Sequence, residues 1–396
     1  MSLLLPFLAF AVTAVLIMVL RPLAQSVGLV DVPTTRKSHK GNVPLIGGIA
    51  IFAALTSVSA LQFVMTGALP EQFVALSVSS TLLVIVGIWD DFTDLPAKGR
   101  LIAQVIAALI TVYGGGVMLT DLGNLSPTGS LLELGILSVP FTVFACLGII
   151  NAMNMCDGLD GLSGSLALIS LLGLGTANAL WGDPTHQYLI VLLSACVAGF
   201  LMFNLRTLWR SRAWVFLGDA GSMLLGLMLC WLSIDLSQGS DRVISPAAAL
   251  WFLMLPIYDA VSMMLRRILK GQSPFAADRE HLHHIFLLAG FSVGESVTLM
   301  SGIAVIGVMI GLGGTFFGVH DLVLAGFFLI GGGLYFWTVR RAWRVMRFLR
   351  RSICRRNSID RRLSSTERRV RQDPAYAGPE RRSGIDRRQL NRRAGD

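Results

Sequence analysis

The residues able to do chemistry in this chain gather in five short segments. The first, Arg36-Lys37-Ser38-His39-Lys40-Gly41 with Gly47-Gly48 behind it, is a cationic, glycine-flanked run suited to a phosphate. A basic anchor at a membrane face would read the same way. The second sets Asp90-Asp91 before Lys98 and Arg100. Two adjacent carboxylates at the C-terminal end of an apolar helix sit where the helix dipole disfavours them, which suggests proton or metal work; a solvated interfacial pair would read the same way. The third runs Asn151, Asn154, Asp157, Gly158, Asp160, Gly161. The spacing of three lets adjacent members of Asn154, Asp157 and Asp160 share a helical face, and hard oxygen ligands fit Mg²⁺ or Mn²⁺ rather than zinc. The fourth, Gly218-Asp219-Ala220-Gly221-Ser222, puts a carboxylate at a helix start, where it serves equally as a cap or beside a metal. The fifth, Asp278-Arg279-Glu280-His281-Leu282-His283-His284, holds three of the chain's 6 histidines. No cysteine spacing supports a zinc site here, and histidines donating to a diphosphate complement the carboxylate segments better. Together the five are the inventory of a metal-assisted reaction on a diphosphate.

These segments must be positioned by apolar elements. Charge-free stretches recur at 3–20, 41–70, 72–89, 101–120, 134–156, 161–182, 184–205, 220–234, 243–258, 296–319 and 322–339. Most reach the roughly 18 residues that cross ~30 Å of hydrocarbon. The expectation is an all-α integral membrane protein of eleven transmembrane helices. The first stretch is kept as a span, because no basic residue precedes it and no small-residue cleavage site follows. With the N-terminus periplasmic and the C-terminus cytoplasmic, the inside segments carry every Lys and Arg of the 33 except Arg242. All five chemical segments then lie on the cytoplasmic side. Asp259, near Pro256, is the one acid well inside a span, either functional or satisfying a broken helix.

Composition agrees. The chain has 54% hydrophobic and 14% charged residues over 396 positions, against roughly 25% charged in soluble domains. That excludes an ordinary soluble enzyme. The formal net charge of +9 belongs to one end: residues 340–396 hold 19 basic and 6 acidic residues. Arg-Arg pairs recur there with few large apolar residues, so the reading divides the chain into a membrane domain, 1–345, and an Arg-rich, largely disordered cytoplasmic tail, 346–396. The tail has almost no aromatic residues on which bases could stack, which argues against nucleic acid as a partner. The 5 cysteines show no metal spacing and read as small packing residues.

The segments RKSHKGNVPLIGG, GIWDDFTDLPAKGR, NAMNMCDGLDGL, FLGDAGSMLLG and DREHLHHIFLLAGFS stand in this order between residue 36 and residue 292. In motifs and order the chain resembles the polyprenyl-phosphate N-acetylhexosamine-1-phosphate transferases of glycosyltransferase family 4. The HLHH form is most similar to the WecA-type enzymes, which use UDP-N-acetylglucosamine. The muramoyl-pentapeptide branch has three histidines followed by a glutamate, a run absent here. The resemblance implies transfer of GlcNAc-1-phosphate from UDP-GlcNAc to undecaprenyl phosphate. The products would be a lipid-linked pyrophosphoryl sugar and UMP, made at the cytoplasmic face of a bacterial inner membrane. This would initiate a lipid-linked surface polysaccharide such as O-antigen. It further implies Mg²⁺ (or Mn²⁺) held by Asn154 and Asp219, with Asp90 and Asp91 activating or positioning the lipid phosphate. Asp157 and Asp160 match further acids of the third motif. Substrate contacts fall to Arg36, Lys37, His39, Lys98, Arg100, Asn151, Arg279, His281, His283 and His284. The partners are then the two substrates and the bilayer, with a homodimer compatible.

Three other readings stand beside this one. The first is the same reaction on another UDP-N-acetylhexosamine. The second is a transporter of a lipid-linked or nucleotide sugar, which should carry mid-membrane polar groups in repeated halves, a pattern met here by Asp259 alone. The third, a membrane scaffold with a lipid-binding tail, leaves the five segments unexplained.

Overall fold

The computed structural model of the chain describes residues 4–32, 41–67, 71–126, 129–207, 209–273 and 281–341, and it is helical throughout apart from one short strand pair. In order the helices are α1 (Leu4–Val27), α2 (Gly47–Thr66), α3 (Glu71–Thr93), α4 (Ala97–Gly115), α5 (Ser138–Met155), α6 (Leu162–Trp181), α7 (Pro184–Asn204), α8 (Gly218–Asp235), α9 (Pro246–Phe252), α10 (Met254–Leu269), α11 (Leu282–Leu288), α12 (Val293–Phe316) and α13 (Asp321–Arg340). Each charge-free stretch falls on one of them except 243–258, which covers α9 and the start of α10. Among the described residues nine have the length and hydropathy of a membrane span, and α9 with α10, bent by 85° at their junction, adds a tenth if the pair is one span. The helix over the stretch 220–234, α8, is not among the nine; it is 18 residues long with Asp219 and Asp235 near its ends. The outer faces carry large exposed apolar residues, such as Phe7, Val64, Phe144 and Leu329, as expected where hydrocarbon rather than water is the solvent. The chain is a multi-pass membrane protein.

The buried centre is α8, whose residues 220–234 are all buried. Its neighbours α2, α3 and α5 approach it backbone to backbone at glycines. A Cβ at Gly48 would lie 2.2 Å from the Gly221 backbone, one at Gly87 2.3 Å from Ala220 Cα, and one at Gly226 2.5 Å from Ile150 Cα. In a membrane no hydrophobic difference drives helices together, so close approach through small residues does the work.

Three further features tie the bundle together. Strand β1 (Val30–Asp31) pairs antiparallel with β2 (Val43–Pro44), and the chain then bonds to the approach to α8: Phe216 N donates to Pro44 O at 2.8 Å, and Gly48 N to Leu217 O at 2.9 Å. At the break between α9 and α10 the Phe252 carbonyl accepts from Ser170 Oγ at 2.7 Å, so a carbonyl near the break keeps a partner inside the bundle. At the end of the bundle away from Asp219, Arg242 makes a bidentate pair with Asp121, 3.0 Å on each arm. The Arg242 charge is thereby neutralised.

Candidate active site

The site is organised by the start of α8. Gly218 takes φ 74°, open to glycine, and a Cβ there would lie 2.6 Å from Asp91 Oδ2. That clearance lets Asp91, in the last turn of α3, reach across: its Oδ1 accepts from Asp219 N at 2.9 Å and its Oδ2 from Ala220 N at 3.5 Å. Asp91 is therefore the cap of α8. The residue before the helix, Leu217, has no polar side chain to serve, and Asp219 lies one residue inside. A carboxyl group at the C-terminal end of its own helix thus meets the N–H groups that open another.

Its neighbour turns the other way. Asp90 Oδ1 accepts from Leu95 N at 2.7 Å and Oδ2 from Arg100 Nη1 at 2.8 Å, with a side chain only 1% exposed. Arg100, in the second turn of the helical approach of α4, also stands 3.8 Å from Asp219 Oδ2. The adjacent acids thus divide: Asp91 reaches α8, while Asp90 anchors the cation that balances Asp219.

Asn154, in the last turn of α5, donates Nδ2 to Asp219 Oδ1 at 2.5 Å and to Ser222 Oγ at 2.9 Å. Beyond it the shared helical face expected for Asn154, Asp157 and Asp160 does not form. The helix stops at Met155, and Gly161 turns the chain at φ 84° into α6. Asp160 faces outward from the cluster, accepting from Arg206 Nε at 2.7 Å and Ala213 N at 3.0 Å. Asp157 stays beside the acids. Burial first, then the charges of Asp219, Asp91, Asp160 and Asp31, push its carboxyl well above the usual range.

The histidine segment closes onto the same turn. A Cβ at Gly158 would lie 2.4 Å from His283 Nε2, so the ring packs directly on the glycine. His281 is the residue before α11 and bonds through Nδ1 to Asp259 Oδ2 at 2.8 Å; Asp259 Oδ1 also accepts from Leu282 N at 3.1 Å and Tyr335 Oη at 2.8 Å. Asp259 thus ties α10, α11 and α13 together. The rings of His281 and His283 stack with centroids 5.4 Å apart. Burial, with the neighbouring charges of His284 and His281, pushes His283 down to about 3, so it stands neutral rather than as a cation.

Four polar elements from α3, α5, the following turn and α8 therefore meet at one end of the bundle. Residues 73–237, the stretch that holds all four, match the sequence profile of glycosyl transferase family 4. A relative from Yersinia pestis is 34% identical over 345 residues, covering 86% of this chain and 92% of its own length. One from Salmonella typhi is 35% identical over the same shares, and one from Haemophilus influenzae 33% identical over 87% and 96%. All three are named undecaprenyl-phosphate alpha-N-acetylglucosaminyl 1-phosphate transferase.

The chain belongs to glycosyl transferase family 4.

Within this family member the remaining sequence candidates are placed as follows. Lys98 is exposed in the first turn of α4. Asn151 lies one turn before Asn154 and donates to Gln104 Oε1 at 2.7 Å and Leu147 O at 2.8 Å, binding α5 to α4. His284 is half-buried, its ring 4.2 Å from that of His283. Arg36, Lys37, His39 and Arg279 lie outside the described residues, as does the tail from 342. Sequence reasoning missed Ser222, Gln104, Arg206, Asp31 and Tyr335. Of these only Ser222 carried a signal, standing three residues after Asp219 on one helical face.

Proposed function

We propose that this protein transfers GlcNAc-1-phosphate from UDP-GlcNAc to undecaprenyl phosphate, yielding undecaprenyl-diphospho-GlcNAc and UMP. The observation that carries it is the meeting of Asp91, Asn154, Asp157 and Asp219 around the start of α8, in a chain matched over 86% of its length by transferases of that name. A lipid phosphate oxygen forms a bond to the β-phosphorus of the nucleotide, the bond from that phosphorus to the bridging oxygen breaks, and UMP leaves. Such a displacement needs in-line placement and neutralised charge more than covalent help from the protein.

Mg²⁺ fits the residues present. Among the described residues no three His, Cys, Asp or Glu group closely enough to hold a metal alone. Mg²⁺ is commonly held by one or two carboxylates together with substrate phosphates. Asp219, with a side chain 31% exposed, and Asn154, whose carbonyl oxygen takes no part in its two bonds, would hold it. When bound it would offset the charge of the diphosphate. Asp91 is immobilised by two backbone amides and fixes the start of α8. Arg100, half-exposed and anchored by Asp90, is the cation at hand for the lipid phosphate. His281, with Nδ1 on Asp259, keeps Nε2 for a substrate oxygen.

Orientation with the acids at the cytoplasmic face of a bacterial inner membrane follows from the Lys and Arg distribution, and the product would prime a surface polysaccharide of the O-antigen kind. The test is purified protein with labelled UDP-GlcNAc, undecaprenyl phosphate and Mg²⁺. Label should enter the lipid phase, stop on chelation and resume when Mg²⁺ is restored. No labelling with intact, folded protein, or labelling indifferent to chelation, refutes the proposal.

A further inference from the structure

A recess of about 250 Å³ opens between α1 and α7, lined by Ile17, Met18, Arg21, Pro22, Gln25, Phe203 and Trp214. It shares no residue with the acids described above. The Arg21 guanidinium lies 5.0 Å from the Trp214 ring centroid, and its Nε is buried with no hydrogen-bond partner among the described residues. Among the described residues no acid lines the recess. A second cation, Arg210, stands 5.4 Å from the same ring, its guanidinium spent on backbone carbonyls, with Leu205 O at 3.1 Å. A guanidinium beside apolar walls without a carboxylate is costly unless an anion joins it.

The walls name the kind of anion. Along α1 the residues around the mouth are large, apolar and turned outward: Met18, Val19 and Leu23 are all exposed. In a membrane protein that face meets acyl chains. Trp214, half-exposed at the end of the same recess, has the amphipathic ring that favours the headgroup level. Pro22 brings no N–H to the carbonyl of Met18 four residues earlier, and Gln25 adds an exposed amide. The recess therefore offers a planar cation for a phosphate, acceptors and donors for hydroxyls beside it, and an apolar exit for a chain.

We propose that this recess seats the headgroup of an anionic bilayer phospholipid, its phosphate on Arg21 and its acyl chain along Met18 and Leu23. Basic recesses between helices at a charged membrane face suit such headgroups. Trp214 adjoins Ala213, whose N–H holds Asp160, and the same segment runs on into Asp219. A lipid seated here stiffens the strand of chain that enters α8. The inference rests on the membrane fold and not on the identity of the sugar donor.

The test is native mass spectrometry of the full chain, loaded with phosphatidylglycerol or phosphatidylcholine and then stripped with detergent. The wild-type protein should retain one phosphatidylglycerol and no phosphatidylcholine. Arg21→Gln should lower that retention about tenfold, and Met18→Trp, which fills the recess without changing charge, should lower it as far. Equal retention in either folded variant, or equal retention of the two lipids, overturns the proposal. Displacement of the retained lipid, one for one, by undecaprenyl phosphate would overturn the assignment to a bilayer phospholipid and give the recess to the acceptor instead.

Discussion

Asp157 precedes Gly158, on which the His283 ring packs, and the surroundings of each pull it from its ordinary ionisation. The buried Asp157 carboxyl is disfavoured as an anion. A raised value in the fold contributes stability that is present below the unfolded value of about 3.9 and lost as pH rises through the folded one. Asp157→Asn should therefore raise the thermal midpoint at pH 7, by an amount on the order of a few degrees, with the gain shrinking as pH falls, while turnover drops at least tenfold. A lower midpoint at pH 7 in a calorimetric scan would contradict this. His283 behaves oppositely. Pushed down to about 3, it contributes stability present above its usual 6.5 and lost as pH falls from there. His283→Asn should flatten the acid loss of stability between pH 6.5 and 4; an unchanged slope would show that the ring carries no such linkage. At Asp219, replacement by Ala should cut turnover at least a hundredfold with the protein still inserted and monodisperse.

At the scale of elements, the account depends on α8 being gripped by α2 and α3, because that grip sets Asp91 against the helix start. Gly48→Ala forces a methyl to within 2.2 Å of the Gly221 backbone. It should cost roughly 1–3 kcal/mol and lower activity, though Gly48 touches none of the acids' side chains; a melt indistinguishable from wild type would contradict the packing. Most helices were legible in the sequence because hydropathy over some twenty residues is a strong signal, but the stretch 243–258 gave no sign of the 85° bend between α9 and α10 or of the run of α10 to Leu269. What could not be read was partnership. The equal spacing of Asn154, Asp157 and Asp160 suggested one face, yet the helix ends at Met155 and Asp160 leaves for Arg206. Asp90 and Asp91, adjacent in sequence, point to different helices for the same reason. Local spacing carries no record of which distant backbone amide or cation meets a carboxylate. The tie from Asp259 to His281 and Tyr335 is likewise a meeting of three helices that no local pattern encodes.

Across the whole molecule, the polar segments that carry chemistry are joined to apolar helices that only position them. The relatives cover 86% of the chain, and the Arg-rich end is a different material by composition. Deletion after Arg356 should leave kcat within twofold of the full chain; a tenfold loss in the truncated, folded enzyme would bring the tail into the site's work. The central claim is that this assembly moves a phosphoryl sugar and not the sugar alone. UDP-GlcNAc labelled with ³²P at the β-phosphorus distinguishes the two. With undecaprenyl phosphate and Mg²⁺, the account predicts that the label enters the lipid phase in step with unlabelled UMP in water. Label remaining in water as UDP while the sugar moves to lipid, or no transfer by folded protein, would contradict it.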